Sequence, residues 1–225
     1  MKSMAIAWVI ATLVVVALTV GCTASTPDDN SATGSTPIST SSAASTSEPT
    51  RAIDCEQATS GQATSDTEKT VCADPALVAL DSRLADIYQQ AISESGSERA
   101  TLEAEQRGWV AGRDDCWKEV DARQCVLESY QTRLVELQIN GKDTVTPATV
   151  EYRCGDGSTP VSSVFYNDID PRAMVLTVGG DQAILMQQPT GSGIRYTRQG
   201  VEYAEHQGDI TVDFYGPALA CVAAK

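Results

Sequence analysis

Residues 141–150 read GKDTVTPATV, and the spacing of apolar residues changes across them. Beyond this joint the pattern alternates, as half-buried strands require. Runs at 150–154, 161–166, 173–178, 182–187, 194–197, 201–206, 210–215 and 219–222 are short and bounded by turn residues. In VGGDQ, Gly179 and Gly180 supply the positive φ of a hairpin turn. Eight strands within about 75 residues predict a small eight-stranded antiparallel β-barrel, because closing the sheet removes its edges.

Before the joint the period lies between three and four. Leu77, Leu80, Leu84, Ile87 and Ala91 form one buried helical stripe, with Asp74 as N-cap and Pro75 in the first turn. The segment SESGSERA ends that helix, and Ser97 or a neighbour is expected to cap the next one. Leu102, Trp109, Val110, Trp117 and Val120 are the expected apolar face there, with both tryptophans packing in the core. A third helix from about Ala122 places Leu127, Tyr130, Leu134 and Leu137 on one side. Arg113, Asp114 and Asp115 read as a solvated helix end, not as an acid/base site. The predicted class is α+β with two domains: an antiparallel three-helix unit over residues 52–142 and the barrel over residues 148–225.

The chain opens MKSMAIAWVIATLVVVALTVGC. Lys2, an apolar run over residues 5–20 and small residues before Cys22 have the layout of a secretory signal. A membrane-spanning anchor is the competing reading, since the run approaches the ~17-residue minimum for a span. LTVGC resembles a bacterial lipobox, with Thr19 where leucine is more usual. That resemblance implies removal of residues 1–21, acylation of Cys22 with palmitate-type chains, and a lipid-anchored protein facing the cell wall or the exterior. Residues 22–51 are rich in Ser, Thr, Ala and Pro, with Ile38 the one large apolar residue, so they are expected to be a disordered tether.

Six further cysteines remain: Cys55, Cys72, Cys116, Cys125, Cys154 and Cys221. An even number in an exported chain reads as disulfides, with fifteen connectivities open in principle. Pairing within each half would join Cys154 to Cys221 and staple the ends of the barrel. A bridge between Cys116 and Cys125 is sterically natural across a helix corner, and Cys55 with Cys72 would then close the lead-in. Metal binding is the weaker reading, because no pair has C-x-x-C spacing and the chain holds one histidine. No cofactor is expected.

The formal charge is −14, and both halves are acidic. Phosphate contacts need clustered Lys and Arg, so nucleic acid is disfavoured as a partner. Basic proteins would instead be attracted, with faster encounter. The chain has no G-x-S-x-G, no H-E-x-x-H and no phosphate loop, and no catalytic residue is assigned. Ser192, in the turn GSG, would be a nucleophile only with His206 as its base; a plain turn serine is the preferred reading.

VCADPALVALDSRL, EQRGWVAGRDDC and CVLESYQTRLVEL resemble the LprI-type domain of mycobacterial lipoproteins that inhibit lysozyme. YRCGDG, FYNDIDPRAMVL, GDQAIL, GSGIRY and YAEHQGDITVDFYG resemble the MliC-type inhibitors of C-type lysozyme, small eight-stranded barrels closed by a disulfide. The resemblance implies a surface-anchored, non-enzymatic inhibitor that protects the cell wall from host lysozyme. In the MliC pattern, a serine in an S-G-x-[RK]-Y turn and a lysine in a W-x-K-G stretch enter the lysozyme cleft. Aligned on this chain, the turn falls on Ser192, Gly193, Arg195 and Tyr196. The second stretch departs: Ala204 stands at the tryptophan position, His206 at the lysine and Gln207 at the glycine. A shift of one residue would put Gln207 at the lysine position. Arg195 is expected to pair with a rim acid or with Asp209, and Tyr196 to fix the loop by packing. Histidine, with a reference pKa of ~6.5, would carry the cation best in acid, so pH-dependent inhibition is expected. The alternative is a non-inhibitory envelope scaffold whose helical domain binds partners still to be identified.

Overall fold

In the computed structural model, residues 52–58, 60 and 65–224 are described. The expected signal segment, the tether and Cys22 lie outside them. Among the described residues, no helix is long and apolar enough to cross a membrane.

The first half holds five α-helices among the described residues: α1 Cys55–Gln57, α2 Asp66–Cys72, α3 Pro75–Glu94, α4 Arg99–Asp114 and α5 Ala122–Ile139. The expected three helices are the long ones, and the lead-in adds two short turns of helix. Asp74 caps α3, its carboxylate accepting from the Ala76 N–H at 2.8 Å, with Pro75 at the first position. The α4 start differs from expectation. No serine side chain caps it; a 3₁₀ turn over Gly96–Glu98 runs straight into the helix. Asp121 caps α5 through the Gln124 N–H at 2.9 Å. The three long helices pack around Leu77, Leu84, Tyr88, Val126, Tyr130 and Leu134.

Two readings of this half are corrected. Arg113 is not solvated: it is 6 % exposed, its Nη1 donates to the Tyr130 hydroxyl at 2.9 Å, and its Nε and Nη2 bond Asp114. The Tyr130 hydroxyl in turn donates to Asp81 at 2.8 Å, and the other Asp81 oxygen accepts from the Ile53 N–H. This buried chain of polar groups ties three helices and the lead-in together. Burial pushes the Tyr130 phenol far up, which keeps it a donor. The second correction concerns Trp117 and Val120, which are exposed and not core. The α-helix ends at Asp114, and a 3₁₀ turn over Asp115–Lys118 follows. Three residues per turn instead of 3.6 rotate Cys116 inward and Trp117 outward.

The second half is a closed antiparallel barrel in simple sequence order: β1 Thr149–Cys154, β2 Val161–Tyr166, β3 Ala173–Val178, β4 Asp181–Gln187, β5 Ile194–Arg198, β6 Val201–His206, β7 Asp209–Phe214 and β8 Leu219–Ala223. β8 returns to β1, placing Cys154 opposite Cys221, and these two form a disulfide. Cys55–Cys72 and Cys116–Cys125 are the other bridges, each within one half as the spacing suggested. The interior is filled by Met174, Leu176, Leu185 and Val212, and by rings of Tyr152, Phe165, Tyr196 and Tyr203. Their polar tips are satisfied internally: the Tyr152 hydroxyl lies 2.8 Å from Ser163 Oγ and reaches Tyr203 at 3.4 Å.

Helix α5 lies against the outside of the barrel. Val135 packs on Ala173 and Met186, outward residues of β3 and β4 that are nonetheless 0 % and 4 % exposed. Burying such a side chain stabilises by roughly 1.5–3 kcal/mol. Polar contacts flank this seam. Arg83 bonds both the carboxylate and the carbonyl of Asp170, Gln138 donates to the same carbonyl at 2.8 Å, and the Gln199 N–H reaches Glu128 at 3.1 Å.

Candidate functional site

Antiparallel order places the β2–β3 loop, the β4–β5 loop and the β6–β7 turn at one end of the barrel. The β4–β5 loop carries Ser192, and β6 ends at His206. Pairing of Ile194 with Glu205 draws these segments together, although Ser192 and His206 are 14 apart in sequence. Ser192 Oγ lies 3.3 Å from His206 Nδ1, and both residues are exposed.

The close approach depends on Gly193. Its φ is +72°, and a Cβ there would stand 2.1 Å from the Glu205 carbonyl oxygen. Thr190 braces the same turn, its hydroxyl donating to the carbonyls of Ser192 at 2.8 Å and Gly193 at 3.1 Å. Beyond the turn, the Gln188 N–H donates to the Arg195 carbonyl at 2.8 Å. The β6–β7 turn is tight, with Gln207 at φ 54° and Gly208 at φ 92°. That places Gln207 at the tip, one residue beyond the contact with Ser192.

Arg195 does not meet Asp209. Its guanidinium pairs with Glu202 at 2.5 Å, and that carboxylate raises the guanidinium pKa further. Arg195 stands opposite Ala204, so Glu202 is its diagonal neighbour on the same face, within reach of a long side chain. Tyr196 points inward and is 2 % exposed; its ring packs on Phe165 and its hydroxyl donates to Asn167 at 3.2 Å. Burial raises its phenol pKa. Tyr196 thus holds the base of the loop, and Asn167 brings the β2–β3 loop to it. The Asn167 contact was not legible in the sequence, because it joins residues 29 apart across the barrel end.

In a neutral imidazole one nitrogen donates and the other accepts. With Nδ1 accepting from Ser192, Nε2–H faces outward as a donor. When the ring is protonated, Nδ1–H donates to Ser192 and the serine hydrogen becomes free for another acceptor. Either way the pair offers outward hydrogen-bond donors. Nucleophilic catalysis asks for more, namely a base held by a third group. The Ser192–His206 pair, exposed at the barrel end, can present donors to an acceptor. Among the described residues, no group of three His, Cys, Asp or Glu side chains is placed to hold a metal ion.

Residues 152–219 match the family model described as membrane-bound lysozyme-inhibitor of c-type lysozyme, MliC. Residues 55–137 match the model described as lysozyme inhibitor LprI. Lipoprotein LprI of Mycobacterium bovis is 46 % identical over 154 residues, covering 68 % of this chain and 77 % of the relative. The same protein from two Mycobacterium tuberculosis strains aligns with the same identity and coverage. No solved structure matches. With the LprI match on the helices and the MliC match on the barrel, in that order, the chain belongs to the LprI family of lipoproteins.

Proposed function

We propose that this protein inhibits C-type lysozyme by inserting the Ser192–His206 end of its barrel into the enzyme's active-site cleft. The observation that carries the proposal is the 3.3 Å pair of Ser192 Oγ and His206 Nδ1 on an exposed, braced turn. A glycosidase cleft of this type holds two carboxylates across the bond to be cut. The serine hydroxyl and the outward imidazole N–H supply donors to those carboxylates and exclude substrate. Family membership supports the same partner. The acidic character of the chain favours rapid encounter with a strongly basic enzyme. An inhibitor interface of this kind buries about 1,600 Å² in total.

In this reading His206 takes the part of the lysine in the MliC pattern, and Gln207 borders it at the turn tip. Gly193 and Arg195 set the turn, and Tyr196 anchors it. Residues 1–21 act as signal, Cys22 carries the lipid, and residues 22–51 tether domains 52–142 and 148–225 outside the membrane.

A lytic assay with the oxidised chain and with each domain alone tests the proposal. Inhibition by the whole chain and by the barrel domain is expected. A second reading, partner binding through the helical domain without inhibition, has one observation in its favour: Trp117 is 61 % exposed and Val120 fully so, beside the Cys116–Cys125 bridge. Absence of inhibition from every form, with the disulfides intact, would favour it.

A further inference from the structure

The β2–β3 loop, residues 167–172, is held from outside the barrel by α3 and α5. Arg83 of α3 bonds both the carboxylate and the carbonyl of Asp170. Gln138 of α5 donates to the same carbonyl at 2.8 Å and accepts from the Asp170 N–H at 3.4 Å. Ile169 packs against the seam cluster of Val135, Ala173 and Met186. An exposed ion pair by itself contributes little. Here the helices also grip the backbone of the loop and one of its apolar side chains, so the path of the loop is set by the helical half.

The same loop reaches the strands that bracket the Ser192 turn. On one side of Asp170, Asn167 accepts from the Tyr196 hydroxyl at 3.2 Å. On the other, the Arg172 carbonyl accepts from the Gln187 N–H at 2.9 Å, and Gln187 pairs with Tyr196 across β4 and β5. We propose that the helical half positions the Ser192–His206 turn through this loop, with Arg83 and Gln138 as the positioning residues. Its consequence, tighter inhibition, rests on the reading of that turn as the inhibitory end. A turn held in its binding geometry loses less conformational freedom when it enters a cleft. The helical domain is then a brace for the barrel, and neither Arg83 nor Gln138 has to touch lysozyme.

Proximity alone does not establish coupling; an energetic cycle between the sites does. His206 is the one histidine of the chain, so its imidazole resonances report on the turn in the free protein. In the full oxidised chain, Arg83→Gln with Gln138→Ala is expected to shift or broaden those resonances. The same variant is expected to weaken inhibition of C-type lysozyme roughly three- to tenfold. Arg83→Gln alone tests the same link should the pair disturb the bundle. Glu128→Ala cuts the contact of α5 with Gln199, in the β5–β6 turn at the opposite end of the barrel, and is expected to change neither readout. Adding Asn167→Ala to the Arg83→Gln, Gln138→Ala pair is expected to cost less than the product of the separate losses, because both act on one path. Unchanged His206 resonances in the helix variant, an equal change in Glu128→Ala, or losses of inhibition that multiply in full would each overturn the proposal. A wild type that fails to inhibit, with His206 still moved by the helix variant, would sink the inhibitory reading and support the positioning link.

Discussion

Gly193 is the residue on which the shape of the candidate site turns. Alanine there must meet the Glu205 carbonyl and hold φ at +72°, a combination that strains the turn by about 1–3 kcal/mol. Gly193→Ala is therefore expected to weaken lysozyme inhibition at least tenfold while the barrel stays folded, as read by Ki alongside a thermal melt. The SG of the turn was legible in the sequence, but the reason for the glycine was not, because the obstructing carbonyl belongs to another strand. Arg113 shows the same limit from the other side. Three consecutive charges at a helix end look solvated, and only the folded bundle brings Tyr130 and Asp81 to Arg113. Tyr130→Phe removes the hydroxyl that links them and leaves buried charges short of a partner. A loss of about 1–3 kcal/mol is expected, measured by denaturant unfolding with the m-value unchanged.

At the scale of elements, the strands were the most legible feature, since alternation and turn residues mark both ends of each. Helix packing was less so. Val135 lies off the Tyr130–Leu134–Leu137 stripe, and its burial follows from the barrel that α5 covers, which helical periodicity alone does not reveal. The Cys154–Cys221 bridge closes 67 residues of chain and so restricts the unfolded state strongly. Replacing both cysteines with serine is expected to cost about 4 kcal/mol, seen as a lower denaturant midpoint with the other two bridges kept oxidised. The α3 cap carries a pH signature. The Ala76 N–H and then Arg123 hold the Asp74 carboxyl below its ordinary value. A depressed folded-state pKa means that the contribution is present above the unfolded-state value of ~3.9 and is lost as pH falls through the folded-state value. Melts of wild type and Asp74→Asn should differ near neutrality and converge in stronger acid.

For the whole molecule, the change of period at the joint disclosed an α+β chain, and the even cysteine count pointed to disulfides without fixing their pairing. The packing of α5 on the barrel was not legible, because Ala173 and Met186 sit at outward positions of strands whose inward faces already account for the alternation. The seam leaves the Ser192–His206 end of the barrel exposed. An imidazolium meets a pair of lysozyme carboxylates with opposite charge where a neutral ring does not, so inhibition is expected to strengthen as pH falls. The most direct test is the inhibition constant against C-type lysozyme between about pH 5 and 8, for the wild type and for the double variant Ser192→Ala, His206→Ala. The account predicts inhibition by the wild type that tightens toward acid and a loss of roughly a hundredfold in the double variant, with the fold intact. Inhibition retained by the double variant with the same pH profile would contradict it.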